Sequence, residues 1–261
     1  MDMGLEGKSV LITGGSKGIG LACAMGFAAE GCREIHLTSR TAEDLEAARA
    51  AVTGAYEAEV HVYPLDLSRP ESVEQLLAAC GDVDILVNNA GAIPGGSIEL
   101  ITDEIWREGW DLKVFGYINM TRAFFAKMKE RGAGVIVNDI GNAGERIDFD
   151  YICGTAGNAS LIAFTRAMGG RSIDWGVRIV GVNPGPVETE RMTKLMRRRA
   201  LDRFGDESRW RELYENLPLK RMATVEEVAD LIVFLASDRA SFITGTTVTI
   251  DGGIVSRNSI V

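Results

Sequence analysis

The chain has 261 residues, 46% hydrophobic and 25% charged, enough to bury the core of one α/β domain. A formal net charge of −9 argues against nucleic acid and anionic membranes as partners. The four cysteines lack metal-like spacing and are expected as buried free thiols of a reducing compartment. The two histidines, His36 and His61, each lie in a β-like run and give no basis for a metal or triad site.

The N-terminal "MDMGLEGKSV" is acidic and meets a strand at once, so no signal peptide is expected. "SVLITGG" reads as a buried strand and "IGLACAMGFAAEG" as the helix after it. "EIHLTSR" and "AEDLEAARAAVTG" repeat the pattern, and "AEVHVYPLDL" and "VDILVNNAG" are strands separated by "PESVEQLLAACG". One long helix is expected over 103–131, followed by the strand "GVIVND", a helix over 151–175 and the strand "VRIVGVNPG". "TVEEVADLIVFLAS" is a helix that starts on Thr224 with Glu226 and Glu227 in its first turn, and "TTVTIDGG" is the last strand. Strands alternating with helices predict a single-domain, Rossmann-like, doubly wound parallel sheet flanked by helices, over 1–261. The charged stretch 188–217 has no strand pattern and is expected to form a lid or substrate segment. No apolar run approaches the ~18 residues of a membrane span, and a cytoplasmic protein is expected.

"VLITGGSKGIG" places Gly14, Gly18 and Gly20 between a strand and a helix. Glycines there permit a tight turn and bring backbone N–H groups up to a pyrophosphate at the helix N-terminus. An acidic residue about 20 positions on would select the ribose diol of NAD; Arg40 stands there instead. Arg40 and Lys17, two cations without a competing carboxylate, suit the 2′-phosphate of NADP, and NADP(H) is expected over NAD.

These segments resemble the short-chain dehydrogenases/reductases. The resemblance is carried by "TGGSKGIG" (13–20), "LDL" (65–67), "NNAG" (88–91), Tyr151, "VNPGPVET" (182–189) and "TGTTVTIDGG" (244–253), in the family's order along almost the whole chain. It implies that Gly14, Ser16, Lys17, Gly18, Ile19 and Gly20 hold the pyrophosphate. By the same resemblance Asp66 and Leu67 contact the adenine end, and Asn88, Asn89, Ala90 and Gly91 shape the cleft. Pro184, Gly185, Val187 and Thr189 hold the nicotinamide. A homotetramer or homodimer is implied too, through the segment ending in "IVSRNSIV".

The catalytic positions depart from the family's Asn, Ser and Tyr-x-x-x-Lys. Tyr151 remains; the Asn position falls on Lys113, the Ser position on Gly141 or a neighbour, and the Lys position on Thr155. In the family's scheme Tyr is the proton donor, Lys lowers its pKa and binds ribose, and Ser bonds the substrate oxygen. Tyr151 and Thr155, at i and i+4, are expected on one helical face. Two placements stay open for Lys113: toward the gap left at Thr155, where its charge would depress the Tyr151 pKa, or out to solvent. Asn142 is a candidate amide donor in place of Ser, and Asp139 one if protonated; both otherwise read as loop residues. Asn158 reads as a packing residue. The basic run Arg191, Lys194, Arg197, Arg198 and Arg199 suggests an anionic substrate, or else an amphipathic helix with a solvated face. Trp106, Trp110, Phe149 and Trp175 read as packing aromatics. The expected activity is NADP(H)-dependent reduction of a carbonyl compound, with a small-molecule carbonyl or alcohol as partner. The alternatives are a dinucleotide-binding protein without hydride transfer, or a cofactor-using isomerase or lyase.

Overall fold

The computed structural model describes residues 2–257. Seven short aliphatic runs pair side by side in one parallel sheet. They are β1 (Ser9–Thr13), β2 (Glu34–Ser39), β3 (Glu59–Pro64), β4 (Ile85–Asn88), β5 (Gly134–Asp139), β6 (Val177–Pro184) and β7 (Thr247–Ile250), in the order β3-β2-β1-β4-β5-β6-β7. The doubly wound sheet is therefore as the alternating pattern predicts. Strand order reverses between β1 and β4, which opens a crevice at their C-terminal ends. The central strands are covered on both faces, so they run apolar without alternation.

On one face α1 (Gly18–Ala29), α2 (Ala42–Ala55) and α8 (Val225–Ala236) bury Phe27, Leu45 and Ile232 against Val10, Ile12 and Val180. On the other, α3 (Pro70–Cys80) and α5 (Gly116–Arg131) bury Leu76, Met120 and Phe124 against Leu11, Leu86 and Ile136. All four cysteines are buried and free. His36 and His61 face each other across β2 and β3 with ring centroids 4.8 Å apart, in structural positions. No helix among the described residues is long and apolar enough to cross a membrane.

Three elements differ from the sequence pattern. The helix expected over 103–131 is α4 (Asp103–Trp110), a π-helical turn over Asp111–Phe115 and then α5. An inserted residue of this kind rephases the helix, and here it carries Lys113. The helix expected from Tyr151 starts one residue later, as α6 (Ile152–Ser172). Tyr151 is its N-cap at φ −136°, ψ 38°, outside the helical region. Tyr151 and Thr155 consequently do not share a helical face. The segment 188–217 folds as α7 (Glu190–Phe204) followed by a 3₁₀ stretch over Glu207–Asn216. Met196 and Ala200 of α7 pack on Trp210 and Tyr214. The C-terminal "IVSRNSIV" lies partly outside the described residues.

Candidate active site

The β1–α1 loop is built for close backbone approach. Gly14 and Gly18 have φ of +65° and +56°, and a Cβ on Gly20 would overlap the Gly14 carbonyl. The N-terminus of α1 has no side-chain cap and no acid in its first turn, so its N–H groups are left for an anion. Thr13 and Asn89 lock the loop from beneath. Thr13 Oγ1 accepts from the N–H groups of Asn89 and Ala90 at 2.8 and 2.9 Å, and Asn89 Nδ2 donates to the carbonyls of Thr13 and Gly14. Asn88 Nδ2 donates to Asn138 Oδ1, and Asn138 Nδ2 to Thr165 Oγ1, both at 2.9 Å. This buried polar ladder ties β4 to β5 and α6. Among the other residues of the cleft, Leu67, Pro184 and Val187 are buried and Ser16, Ile19 and Gly185 half-buried. Residues and cradle fit a dinucleotide pyrophosphate.

Just past β3, burial pushes the Asp66 carboxyl up, but hydrogen bonds from Ser68 and the charges of Arg40 and Arg69 hold it below its ordinary value. Arg40 is exposed just past β2. Lys17 is paired with Asp44 of α2 at 2.9 Å. The sequence pattern missed Asp44, which comes to Lys17 only through the packing of α1 beside α2. The loop also reaches the start of α7: a Cβ on Gly18 would meet Thr189 Cγ2 at 3.4 Å, and Thr189 caps α7 by accepting from the Met192 N–H.

Tyr151 lies between the β4–α4 loop and the first turn of α6. Its backbone pairs with Gly96, and it packs, as Trp106 and Trp110 do, against the cluster of Ile93, Ile101 and Cys153. A Cβ on Gly154 would overlap Cε1 and Cζ of that ring. The phenol thus lies across position 154, in the place a side chain from that residue would take. Burial raises the Tyr151 pKa, and the guanidinium of Arg191 opposes the rise. Arg191, in the first turn of α7, donates from Nη2 to the Ile93 carbonyl at 3.2 Å. The cation that acts on the phenol is Arg191, not Lys113.

Lys113 turns inward, not to solvent. Its stem lies against Gly91, where a Cβ would come within 2.8 Å of Lys113 Cδ. Its ammonium donates to the Ile140 carbonyl at 2.6 Å. Burial lowers its pKa, while Asp139 opposes and Arg191 adds to the fall. Asp139, 7% exposed at the end of β5, is pushed up to about 6 by burial, with Lys113 pulling the other way. The two charges influence each other beneath the cleft, but the hydrogen bond of the Lys113 ammonium goes to the Ile140 carbonyl.

The other expected residues diverge. Thr155 is buried and its Oγ1 lies 3.4 Å from both the N and the O of Asp148, so it anchors the loop before α6. Asn142 is tied by Nδ2 to Asp251 at 3.2 Å, across to the turn after β7. Gly141 has φ +120°, a conformation in which a side chain is strained. Asn158 is buried, and its amide nitrogen lies 3.0 Å from where a Gly141 Cβ would stand. Of the basic run, Lys194 pairs with Glu190 and Arg198 with Asp202 within the helix. Trp110 donates to the Cys153 carbonyl, and Trp175 lies under Lys129, as packing aromatics do. Phe149 does not pack: it is exposed.

The family model described as Enoyl-(Acyl carrier protein) reductase matches residues 14–255. The chain is a short-chain dehydrogenase/reductase. This reductase-family chain is 32% identical to an acetoacetyl-CoA reductase of Rhizobium meliloti, covering 94% of the chain and 98% of that protein. It is 32% identical to an L-xylulose reductase of Bos taurus, over 98% of the chain and 100% of that protein. The crystal structure of L-sorbose reductase from Gluconobacter frateurii, complexed with NADPH and L-sorbose, superposes with a TM-score of 0.92 at 32% identity. It covers 99% of this chain and 100% of its own. This short-chain dehydrogenase/reductase is accordingly a nicotinamide-dependent oxidoreductase with the family's sheet.

Proposed function

We propose that the protein is an NADP(H)-dependent reductase of a small carbonyl compound, with Tyr151 as the proton donor. The observation that carries this reading is the seating of the Tyr151 ring across Gly154, beside the cleft and with its pKa raised. A phenol of ordinary pKa ~10 is already protonated at neutral pH, and burial strengthens that state. Reduction needs an acid, so a raised pKa suits it; alcohol oxidation needs the phenolate and is handicapped. When bound, NADPH supplies the hydride. Tyr151 gives its proton to the carbonyl oxygen, and Lys113, bonded to the Ile140 carbonyl, fixes the loop that carries Ile140 and Gly141.

Lys17 and Arg40 are the proposed partners of the 2′-phosphate, and the NADPH-bound relative lends support. Arg191 gives an anionic or hydroxyl-rich substrate its contact beside the phenol. Of the other cations of that run, Lys194 and Arg198 pair within α7, and Arg191 is the one that acts on the phenol. Relatives acting on acetoacetyl-CoA, L-xylulose and L-sorbose make these the compounds to try first. One domain with the segment 188–217 as its lid, acting as a homotetramer or homodimer through the C-terminal segment, completes the proposal.

A dinucleotide-binding protein without hydride transfer is the second reading, favoured by Thr155 being turned to Asp148 and Lys113 to Ile140. The experiment is NADPH oxidation by purified protein with the three carbonyl compounds, alongside Tyr151→Phe. Turnover lost in Tyr151→Phe supports the first reading. Tight NADPH binding with no turnover of any of the three supports the second.

A further inference from the structure

One turn beyond Gly154 on α6 stands Asn158, a polar side chain in an apolar setting. It is 4% exposed, and its Oδ1 is buried with no hydrogen-bond partner among the described residues. None of the side-chain hydrogen bonds among those residues uses its Nδ2 either. A buried polar group without a partner costs about 1–3 kcal/mol, so folding alone favours an apolar residue here. Unpaired buried polar atoms of this kind call for a function or a missing partner.

Oδ1 is an acceptor and would take a donor; the end of the amide nearest Gly141 is the donor, Nδ2, and its surroundings say what it would meet. Asn158 Nδ2 lies 3.0 Å from the Cβ position of Gly141, at the C-terminal end of β5 where the crevice opens. Gly141 is half-buried and offers no side chain of its own. The following turn is pressed onto the helix at this same place. A Cβ on Gly144 would come within 2.7 Å of the Asn158 carbonyl carbon and the Ala159 nitrogen. The amide is therefore held in the space that a side chain at 141 would enter, and Tyr151 in the space that one at 154 would enter. Both replacements come from the start of α6, and both point toward the same end of the sheet.

We propose that Asn158 is a catalytic residue: its side-chain amide donates a hydrogen bond to the substrate carbonyl oxygen, in the place left open by Gly141. The inference rests on the carbonyl-reduction reading above. In the step, the carbonyl carbon gains the hydride and a new C–H bond. The π pair of the C=O moves to the oxygen, which takes the Tyr151 proton. Asn158 exchanges no atoms; it holds the oxygen while charge develops there, as oxyanion donors do.

The test uses the full chain and Asn158→Ala, with Asn158→Asp as the variant that keeps the shape and loses the donor. Because the Asn158 side chain makes no hydrogen bond among the described residues, Asn158→Ala is expected to fold with an unchanged or higher Tm and unchanged NADPH affinity. Its kcat/KM, with whichever of acetoacetyl-CoA, L-sorbose and L-xylulose the parent reduces fastest, is expected to fall about 10²–10³-fold. The Asn158 side-chain amide resonance, assigned by its loss in Asn158→Ala, should shift when that compound is added to the NADP⁺-bound parent. Asn158→Ala within roughly threefold of the parent in kcat/KM overturns the proposal. So does a loss of NADPH affinity with kcat preserved, which would give the amide to the cofactor. A fall in Tm with a matching loss of folded protein would make Asn158 structural. If the parent reduces none of the three, the reduction reading fails, and the amide resonance still decides this inference. A shift on adding a carbonyl compound supports it, and no shift with any of them overturns it.

Discussion

Tyr151 is where a single residue's environment sets the chemistry. Its ring is wedged against Gly154, and burial raises its pKa despite Arg191. Carbonyl reduction should therefore be flat in rate from neutral pH to beyond the ordinary phenol value of ~10, while oxidation of the corresponding alcohol climbs through that range. A pH–rate profile in each direction checks this; a reduction limb that falls below pH ~8 would contradict it. Gly154→Ala gives a second test. The exchange favours the helix by about 1 kcal/mol on intrinsic propensity, yet its methyl would displace the ring. Turnover should drop at least about tenfold without a comparable loss of Tm. The sequence revealed the tyrosine but not the glycine. Position 154 looks like a small residue in a helix until the ring is seen lying over it. Thr155 misled for a related reason: the i, i+4 rule needs both residues inside the helix, and Tyr151 is its cap.

Among the elements, helix starts were legible because caps are written locally. Thr224 and Glu227 form a capping box at α8, as "TVEE" suggests. Arg221 and the Thr224 backbone bond the Glu227 carboxyl and lower it to about 2. A lowered pKa contributes stability above the unfolded value near 4.5 and loses it as pH falls toward 2. Glu227→Gln should thus lower Tm at pH ~7, with the difference shrinking as the pH falls through ~4. Thermal melts of both proteins across that range measure it. The π turn at Asp111–Phe115 was not legible, because a one-residue insertion leaves apolar spacing nearly intact over so short a run. That turn brings the Lys113 ammonium inward to the Ile140 carbonyl. The helix α7 was legible only as the amphipathic alternative for its basic run, since Trp210 and Tyr214, which cover it, follow later in the chain.

Across the whole molecule, the parallel doubly wound sheet and the phosphate loop were readable from alternation and glycine spacing, which act over neighbouring residues, whereas the strand order came from the structure. Contacts between distant elements were not readable. Asp44 reaches Lys17 from another helix, and Lys113 meets the Ile140 carbonyl through the packing of a turn on a strand. Asp44→Asn should free Lys17 and tighten NADPH binding, whereas Lys17→Ala should weaken NADPH roughly tenfold and leave NADH nearly unchanged, about 1.4 kcal/mol of selectivity. Fluorescence titration with both cofactors reads this directly. The Asp139 carboxyl, raised from 3.8 to about 6, has the opposite linkage sign to Glu227. Below the unfolded value it costs nothing, and the penalty of ionising it in the fold accumulates as pH rises toward 6. Asp139→Asn should therefore gain stability relative to the parent between pH ~4 and ~7, by roughly 3 kcal/mol at most. Denaturant melts at the two pH values would expose the change.

Everything proposed for the reaction depends on the tyrosine seated over Gly154 protonating a carbonyl compound that NADPH reduces. The most direct measurement is single-turnover loss of NADPH absorbance with acetoacetyl-CoA, L-xylulose and L-sorbose, for the parent and for Tyr151→Phe at matched cofactor saturation. The parent should turn over at least one compound, and the rate should fall about 10²-fold or more in Tyr151→Phe. Equal rates in the two proteins, or bound NADPH that none of the compounds oxidises, would contradict this role for Tyr151.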